Sequence, residues 1–264
     1  MLMQQLVVTV APAEVEIASD ALWGMGVVAV EERAVGNVVE LWTSLGDDAD
    51  AADVWPAGSF PWQWRFVQVD AGVADTWRQF ARPIVISPTL VVRPAWVHYG
   101  GPGTVVHIEP GATFGMGDHP TTILCLRAVE RLTTTGIDVL DVGCGSGVLA
   151  IGAMVLGASK AVGVDIAPAA VPVTLANAEA NHVEVEVSTT PLDQVDGQYD
   201  LGVANILAPA LVALAPHLRR LTRGSLVISG ILAEAHDHVL EALAPMKVVR
   251  TDTLDVWAAV TLVN

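Results

Sequence analysis

The sequence of 264 residues has few cysteines, few cationic residues and no long apolar run. Each of these shortages excludes some classes of protein. Its two cysteines, Cys125 and Cys144, allow at most one disulfide, so we expect two buried thiols in a reducing compartment. No apolar stretch reaches the roughly 20 residues that a membrane-spanning helix needs. Residues 1–10 also lack the cationic start of a signal peptide. We therefore expect a cytoplasmic protein that does not bind membranes.

The charge balance limits the kinds of partner that the chain can bind. Lys and Arg number 13 against 29 Asp and Glu, which gives a formal net charge of −16. Such a surface repels phosphate backbones, so we expect no direct nucleic-acid binding. It would attract a basic protein, although an acidic surface can also serve only to keep a protein soluble. An apolar fraction of 52% indicates a globular chain, which we expect to be a monomer.

The first 70 residues predict a small α+β domain. Strands are predicted at 6–10, 26–31, 38–43 and 62–69, with one helix at 13–23. A second helix between Leu45 and Pro61 is expected to be shortened or absent, because that stretch is rich in Gly, Asp and Pro. Residues 71–96 are interpreted as a linker with a short helix at 74–81, since prolines at 83, 88 and 94 keep the chain extended.

Residues 97–264 predict a second, larger domain of the α/β class. After a helix at 123–132, strands (138–142, 161–164, 183–187, 201–204, 225–229) alternate with helices (147–156, 168–180, 208–221, 233–243). This alternation is typical of a parallel sheet covered by helices on both faces. Two final strand-like runs, 247–250 and 256–263, have no helix between them and predict an antiparallel hairpin at the sheet edge. The whole pattern fits a Rossmann-like seven-stranded sheet of the methyltransferase type.

A glycine loop follows the first strand of this domain. Asp141 is followed by Gly143, Gly145 and Gly147, and a helix begins at the last glycine. Glycines at the carboxyl end of a strand let a ligand approach the backbone closely. The next strand ends at Asp165, whose carboxylate can accept hydrogen bonds from both hydroxyls of a ribose. Together these positions predict a site for a nucleoside-containing cofactor.

The spacing of the loop favours S-adenosylmethionine over a dinucleotide. Dinucleotide folds use GxGxxG, because a pyrophosphate lies over the start of the helix. This loop is GxGxG instead, and Asp141 can bind an ammonium group, directly or through the loop. The methionine part of the cofactor carries an ammonium group, whereas a pyrophosphate does not. A dinucleotide-dependent oxidoreductase and a non-catalytic binding module are the less favoured alternatives.

Two further loops are expected to hold the reaction. The segment 114–122 precedes a helix, and Thr121 or Thr122 can cap that helix or donate a hydroxyl to the cofactor. His119 is a candidate base, although an unpaired histidine is more often structural. The fourth strand of the parallel sheet ends at Asn205, whose amide oxygen can orient an amine toward the methyl donor or, alternatively, cap the next helix. Methyl transfer to a neutral amine needs no metal, and the seven histidines show no ligand set.

Several of these motifs together resemble the PrmA family, whose members methylate lysines of ribosomal protein L11. The matching stretches are Phe114–Thr122 (FGMGDHPTT), Asp141–Gly147 (DVGCGSG), Gly163–Asp165 (GVD), Asn205–Ala208 (NILA) and Ser229–Leu232 (SGIL). The combination of FGxGxHPTT with NILA is specific to the family, whereas the glycine loop alone is not. The resemblance covers about residues 75–264.

The resemblance implies a protein N-methyltransferase that uses S-adenosylmethionine. Thr122, Gly143, Asp165 and Asn205 would contact the cofactor, and Asn205 would also lie beside the incoming amine. The acceptors would be lysine amines, with the N-terminal amine as a further candidate, and the N-terminal domain would recognise the ribosomal substrate. The shortened second helix leaves open another protein or a small molecule as substrate. Asp118 and Ala167 also depart from the residues usual in the family, which bears on cofactor affinity rather than on the reaction class.

Overall fold

The computed structural model describes residues 2–24, 27, 29–44, 61–70, 82–109 and 117–264. They belong to two compact units, one made of described residues up to 70 and the other of residues 82–109 and 117–264. Residues 82–96, which fall within the predicted linker, group with the second unit. The helices predicted between Leu45 and Pro61 and over 74–81 lie outside the described residues.

The first unit is an antiparallel sheet with one described helix packed on it. Its elements are β1 (Leu2–Val10), α1 (Val15–Gly24), β2 (Ala29–Val35), β3 (Val38–Ser44) and β4 (Gln63–Asp70), with strand order β2-β3-β1-β4. Side chains alternate across a strand, so Leu6 and Val8 point to the same face. There they are buried with Leu41 of β3 and with Ala18 and Leu22 of α1. These apolar contacts are what hold the helix on the sheet.

The second unit contains a three-stranded and a seven-stranded sheet. Its strands are β5 (Ile84–Val85), β6 (Leu90–Arg93), β7 (Thr104–His107), β8 (Asp138–Val142), β9 (Lys160–Val164), β10 (Glu186–Ser188), β11 (Tyr199–Asn205), β12 (Thr222–Leu232), β13 (Lys247–Leu254) and β14 (Trp257–Val263). Its helices are α2 (Pro120–Leu132), α3 (Val148–Val155), α4 (Ala170–Ala180), α5 (Ala208–Leu221) and α6 (Asp237–Ala242). The large sheet has the order β10-β9-β8-β11-β12-β14-β13, and β5-β6-β7 form the small one.

The predicted α/β class and the C-terminal hairpin are confirmed. The five strands from β10 to β12 run parallel, while β14 and β13 are antiparallel to their neighbours. Alternate residues of β8 serve opposite cores: Val139 packs with α2 and α3, whereas Leu140 and Val142 pack with α5 and α6. Helices therefore cover both faces of the sheet, and ligands of such sheets bind at the carboxyl ends of the strands.

Two predicted elements begin well after their predicted first residues. The strand predicted at 183–187 is only Glu186–Ser188, because the amide of Val183 donates to Ala178 O and closes the turn after α4. The helix predicted at 233–243 begins at Asp237, because the amide of Ala233 donates instead to Val256 O in the terminal hairpin. In both cases a main-chain amide donates to a carbonyl outside the predicted element, so the element is shorter than its sequence pattern suggests. None of the helices in the described part of the chain has the length and apolar character needed to cross a bilayer.

Candidate active site

The glycine loop connects β8 to α3 at the carboxyl edge of the seven-stranded sheet. Gly143, Gly145 and Gly147 all have positive φ, at 74°, 53° and 79°. A Cβ on Gly143 would overlap the Cγ2 of Ile206, so this glycine is required both by its backbone angle and by its neighbour. The amide of Gly143 donates to Val164 O at 2.8 Å, which joins the loop to the end of β9. The loop thus lies between the two strand ends that the sequence singled out.

Ile206 links this loop to the end of β12. The segment 205–208 begins at the last residue of β11, and Gly230 lies opposite it with a φ of 80°. A Cβ at Gly230 would overlap the carbonyl oxygen of Ile206. The NILA and SGIL stretches therefore contact each other directly, and the glycine in SGIL is what permits that contact.

Asp165 lies directly after β9, and both of its carboxylate oxygens contact backbone amides. Oδ2 accepts from Gly145 N at 2.8 Å, and Oδ1 accepts from Ala167 N at 2.9 Å. The residue is half-buried. Each carboxylate oxygen has a second lone pair, so Asp165 can still accept hydrogen bonds from a ligand. Its position between the glycine loop and α4 matches the one predicted for a ribose partner.

Asp141 is fully buried behind the glycine loop. Its Oδ2 accepts from the amide of Ala150 in α3 at 3.1 Å, while its Oδ1 has no hydrogen-bond partner among the described residues. Burial is the main cause that raises the pKa of Asp141 to about 7, and the nearby charge of Asp165 adds to it. A side chain with no exposed surface fits the second of the two predicted modes, in which Asp141 acts through the loop.

Thr122 and Asn205 come together from α2 and β11. Asn205 Nδ2 donates to Thr122 Oγ1 at 3.5 Å, a long contact at the limit of hydrogen bonding. Asn205 Oδ1 is buried and has no partner within the described ranges. Native proteins rarely leave such an acceptor unpaired, so its position favours a ligand. The sequence predicted Thr122 as a candidate cofactor contact and Asn205 as a residue that faces the methyl donor.

The capping roles proposed for these loops were wrong. Helix α2 starts at Pro120, and its N-cap is His119, whose Nδ1 accepts from the amide of Thr121 at 3.3 Å. Neither Thr121 nor Thr122 caps it. Helix α5 has Leu207 at its N-cap, without a side-chain cap, so Asn205 does not serve that helix either. An imidazole accepts an amide hydrogen as a hydroxyl does, which sequence preferences for Ser, Thr, Asp and Asn did not suggest.

His119 lies in a structural environment. Its Nδ1 is 2.7 Å from Thr121 Oγ1, and its ring packs edge-on against Trp257 with 5.2 Å between the ring centres. Burial lowers the pKa of His119, and the neighbouring Asp118 opposes that shift. The contacts of the histidine therefore organise the start of α2.

Three residues near the site were not identified from the sequence. Ile166 follows Asp165 and is 92% exposed, which is unusual for a large apolar side chain. Thr174 and Asn177 of α4 are buried and donate to main-chain oxygens of the glycine loop. An apolar residue directly after the predicted ribose carboxylate was a usable signal for Ile166. The two α4 residues carry no such local signal, because their partners lie about thirty positions away in the chain.

A seven-stranded sheet in which one strand, β14, runs opposite to the other six, together with a glycine loop at the carboxyl edge of the parallel strands, defines a class I S-adenosylmethionine-dependent methyltransferase. Residues 55–264 match the family model described as "Ribosomal protein L11 methyltransferase (PrmA)". The chain belongs to this family, as its motifs predicted.

Individual relatives agree with the family model. The chain is 37% identical over 278 residues to a ribosomal protein L11 methyltransferase of Cupriavidus taiwanensis, covering 93% of both chains. It is 46% identical over 172 residues to one of Geobacter metallireducens, covering 64% of this chain but only 57% of that relative. A crystal structure of a ribosomal protein L11 methylase of Lactobacillus delbrueckii subsp. bulgaricus matches with a TM-score of 0.65 and 32% identity. It covers 69% of this chain and 97% of that one.

Proposed function

We propose that this chain transfers methyl groups from S-adenosylmethionine to lysine amines of ribosomal protein L11, with the N-terminal amine as a second acceptor. One observation carries the proposal. The amide oxygen of Asn205 is buried without a partner among the described residues, at the end of the strand beside the glycine loop. An acceptor in that position suits an amine N–H that arrives with the substrate.

The residues at this edge fit S-adenosylmethionine. Asp165 would hold the ribose, and Gly143, Gly145 and Gly147 would let the cofactor approach the backbone. Asp141 would support the loop from behind, and Thr122 would contact the cofactor from α2. Ile166 adds an exposed apolar surface beside Asp165 on which a purine could lie. When bound, the cofactor supplies an electrophilic methyl group on a positively charged sulfur.

The role we assign to Asn205 is to orient the acceptor nitrogen. Its Oδ1 accepts a hydrogen bond from the amine N–H, which directs the nitrogen lone pair away from the amide. Its Nδ2 lies 3.5 Å from Oγ1 of the buried Thr122, which leaves Oδ1 as the atom available to the amine. Holding a nucleophile in line with its target is the main contribution that such a site makes to the rate.

The amine must also lose a proton before it can accept the methyl group, and this step requires free energy. A lysine with a pKa of about 10.4 needs roughly 4–5 kcal/mol to lose its proton at pH 7. Exclusion of water and a neighbouring positive charge both lower that pKa, so no dedicated base is required. This agrees with the position of His119, whose Nδ1 is engaged in capping α2.

Charge and unit organisation support a basic protein as substrate. The net charge of −16 favours association with a cationic partner and disfavours direct contact with RNA. We propose that residues 1–70 recognise the substrate, that residues 71–96 act as the linker and that residues 97–264 carry the chemistry. We also propose that the protein acts in the cytoplasm as a monomer.

Incubation with radiolabelled S-adenosylmethionine and separated proteins of the large ribosomal subunit tests this function. We expect label on ribosomal protein L11 alone, and about a hundredfold slower labelling when Asn205→Ala replaces the parent protein. Digestion of the product and mass spectrometry then identify the modified amines. Label on a different protein, or tight cofactor binding without labelling of any protein, would reject the proposed substrate.

A further inference from the structure

Helix α4 holds two consecutive carbonyl groups of the glycine loop. Thr174 Oγ1 donates to Gly145 O at 3.1 Å, and Asn177 Nδ2 donates to Ser146 O at 2.9 Å. Residues three apart share a helix face, so both side chains reach the loop from the same side of α4. Thr174 is 0% exposed and Asn177 1%, so water cannot replace these hydrogen bonds. The loop therefore depends on α4 for the orientation of its peptide groups.

Asn177 makes a second connection, which Thr174 does not. Its Oδ1 accepts from Glu109 N at 2.9 Å, and its Nδ2 also lies 3.4 Å from Glu109 O. One buried amide thus joins the glycine loop to the end of the extended segment that follows β7. That segment leads through residues 110–116 to the loop before Thr122. Asn177 is the only described side chain that bonds both to the glycine loop and to this segment.

Asn181 provides a close internal comparison. It lies one helical turn after Asn177, and its amide accepts from His107 N at 2.8 Å and donates to His107 O at 2.6 Å. Both asparagines therefore act as a strand-like partner for the backbone at 107–109. Among the described residues, the side chain of Asn181 makes no hydrogen bond to the glycine loop; its Nδ2 donates instead to Asn177 O at 2.7 Å. Both asparagines bind the backbone at 107–109, and they differ in that Asn177 also donates to the glycine loop.

We propose that Asn177 is a positioning residue for the cofactor site, acting through the carbonyl of Ser146. This inference rests on the proposed function, since it takes the glycine loop as the cofactor site. Glycines give the loop backbone more freedom than other residues would, so its shape must be fixed by bonds from outside. Without Asn177 the cofactor has to order the loop when it binds, and that ordering weakens the affinity.

The test compares Asn177→Ala with Asn181→Ala by calorimetric titration of S-adenosylmethionine. Leaving buried polar groups unpaired should weaken cofactor binding about tenfold in Asn177→Ala. The Asn181→Ala variant should bind within about twofold of the parent, although both variants lose stability. In rate assays, Asn177→Ala should raise the KM for the cofactor more than it lowers kcat. Equal affinities in the two variants would overturn the proposal.

A second variant guards against loss of folding. Asn177→Asp keeps the shape and the acceptor for Glu109 N but loses the donor to Ser146 O, so it should also bind the cofactor less tightly. If neither Asn177 variant folds under conditions where Asn181→Ala does, Asn177 is a folding residue and the assignment fails.

Asp165→Ala separates this proposal from the one it rests on. If Asp165→Ala weakens cofactor binding and the Asn177 variants do not, only the role of Asn177 is wrong. If none of them changes the affinity, the cofactor does not bind at this loop and the proposed site fails as well. A loss of affinity in both Asp165→Ala and Asn177→Ala supports the two together.

Discussion

The polar side chains at the two ends of strands β8 and β11 differ in whether their hydrogen-bonding groups are paired within the protein. At the amino end, Asp200 receives two hydrogen bonds from Arg223, both at 2.7 Å, and one from the amide of Asp138 at 3.0 Å. At the carboxyl end, Asp141 and Asn205 each keep one buried oxygen without a partner in the described part of the chain. The strands are the same, so the difference is not one of fold. Polar groups that stabilise are paired within the protein, whereas Asn205, for which we propose a ligand, keeps an acceptor without a partner among the described residues. Asp141 lies behind the loop, and its burial raises its pKa instead.

Removal of the orienting amide should have the largest effect, because the proposed role of Asn205 is in the reaction itself. For Asn205→Ala we expect turnover to fall about a hundredfold, the scale of a misplaced nucleophile, with cofactor affinity changed far less. Initial rates at saturating cofactor, together with calorimetry, measure the two quantities. Asn205→Asp retains an acceptor oxygen and should keep more activity than the alanine variant. Unchanged turnover in Asn205→Ala would contradict the proposed difference between the two strand ends, because the unpaired oxygen would then have no role in catalysis.

Loss of the ribose carboxylate should reduce binding rather than rate. Asp165→Ala should weaken S-adenosylmethionine binding by roughly 1.5–3 kcal/mol, the range for hydrogen bonds to a charged group. Calorimetry measures this directly. Asp196→Ala, which removes an exposed carboxylate outside the site, is the control and should leave the affinity unchanged. An Asp165 variant that binds like the parent would mean that the ribose lies elsewhere.

Asp141 should make stability depend on pH. Burial raises the pKa of its carboxyl to about 7 from an unfolded value near 3.8. The folded state therefore prefers the protonated form, so its contribution is fully present below the unfolded pKa and is lost as pH rises toward 7. The parent should lose on the order of 1 kcal/mol per pH unit across that window relative to Asp141→Asn. Urea unfolding of both proteins between pH 4 and 8 tests this, and a difference that does not vary with pH would show that Asp141 stays ionised.

Most of the fold could be predicted because each strand carries its own apolar pattern. The strand Asp138–Val142 was predicted and observed with the same bounds, because Val139, Leu140 and Val142 supply apolar side chains to both faces of the sheet. The edge strand β10 was harder, because alternating Val183, Val185 and Val187 suggested a strand that the turn after α4 shortens. Long-range main-chain bonds have no local signature, so such boundaries could not be read from the sequence.

Some residues of the candidate site could likewise be predicted from the sequence, and others could not. The glycines, Asp165 and Asn205 could be predicted because they follow strand ends, and parallel strands bring their carboxyl ends to one edge. The supporting residues could not. Asn177 bonds to Glu109, 68 positions earlier, and to Ser146, 31 positions earlier, so no short motif contains the connection. His119 as a helix cap was missed because histidine is not among the preferred capping residues.

The smallest effect should come from the amino end, where the same strands use their polar groups only for stability. Hydrogen bonds from Arg223, with the amide of Asp138 adding to them, lower the pKa of Asp200 to about 2. That contribution is present above the unfolded pKa and is lost as pH falls toward 2. Because Asp200 and Arg223 are both partly exposed, Asp200→Asn should cost at most about 1 kcal/mol of unfolding free energy at pH 7. Cofactor affinity and turnover should stay at parent values, measured by calorimetry and labelling. A catalytic defect in Asp200→Asn would show that the two ends of these strands are coupled. The hydrogen bonds of Asp200 at the amino end would then affect the reaction at the carboxyl end.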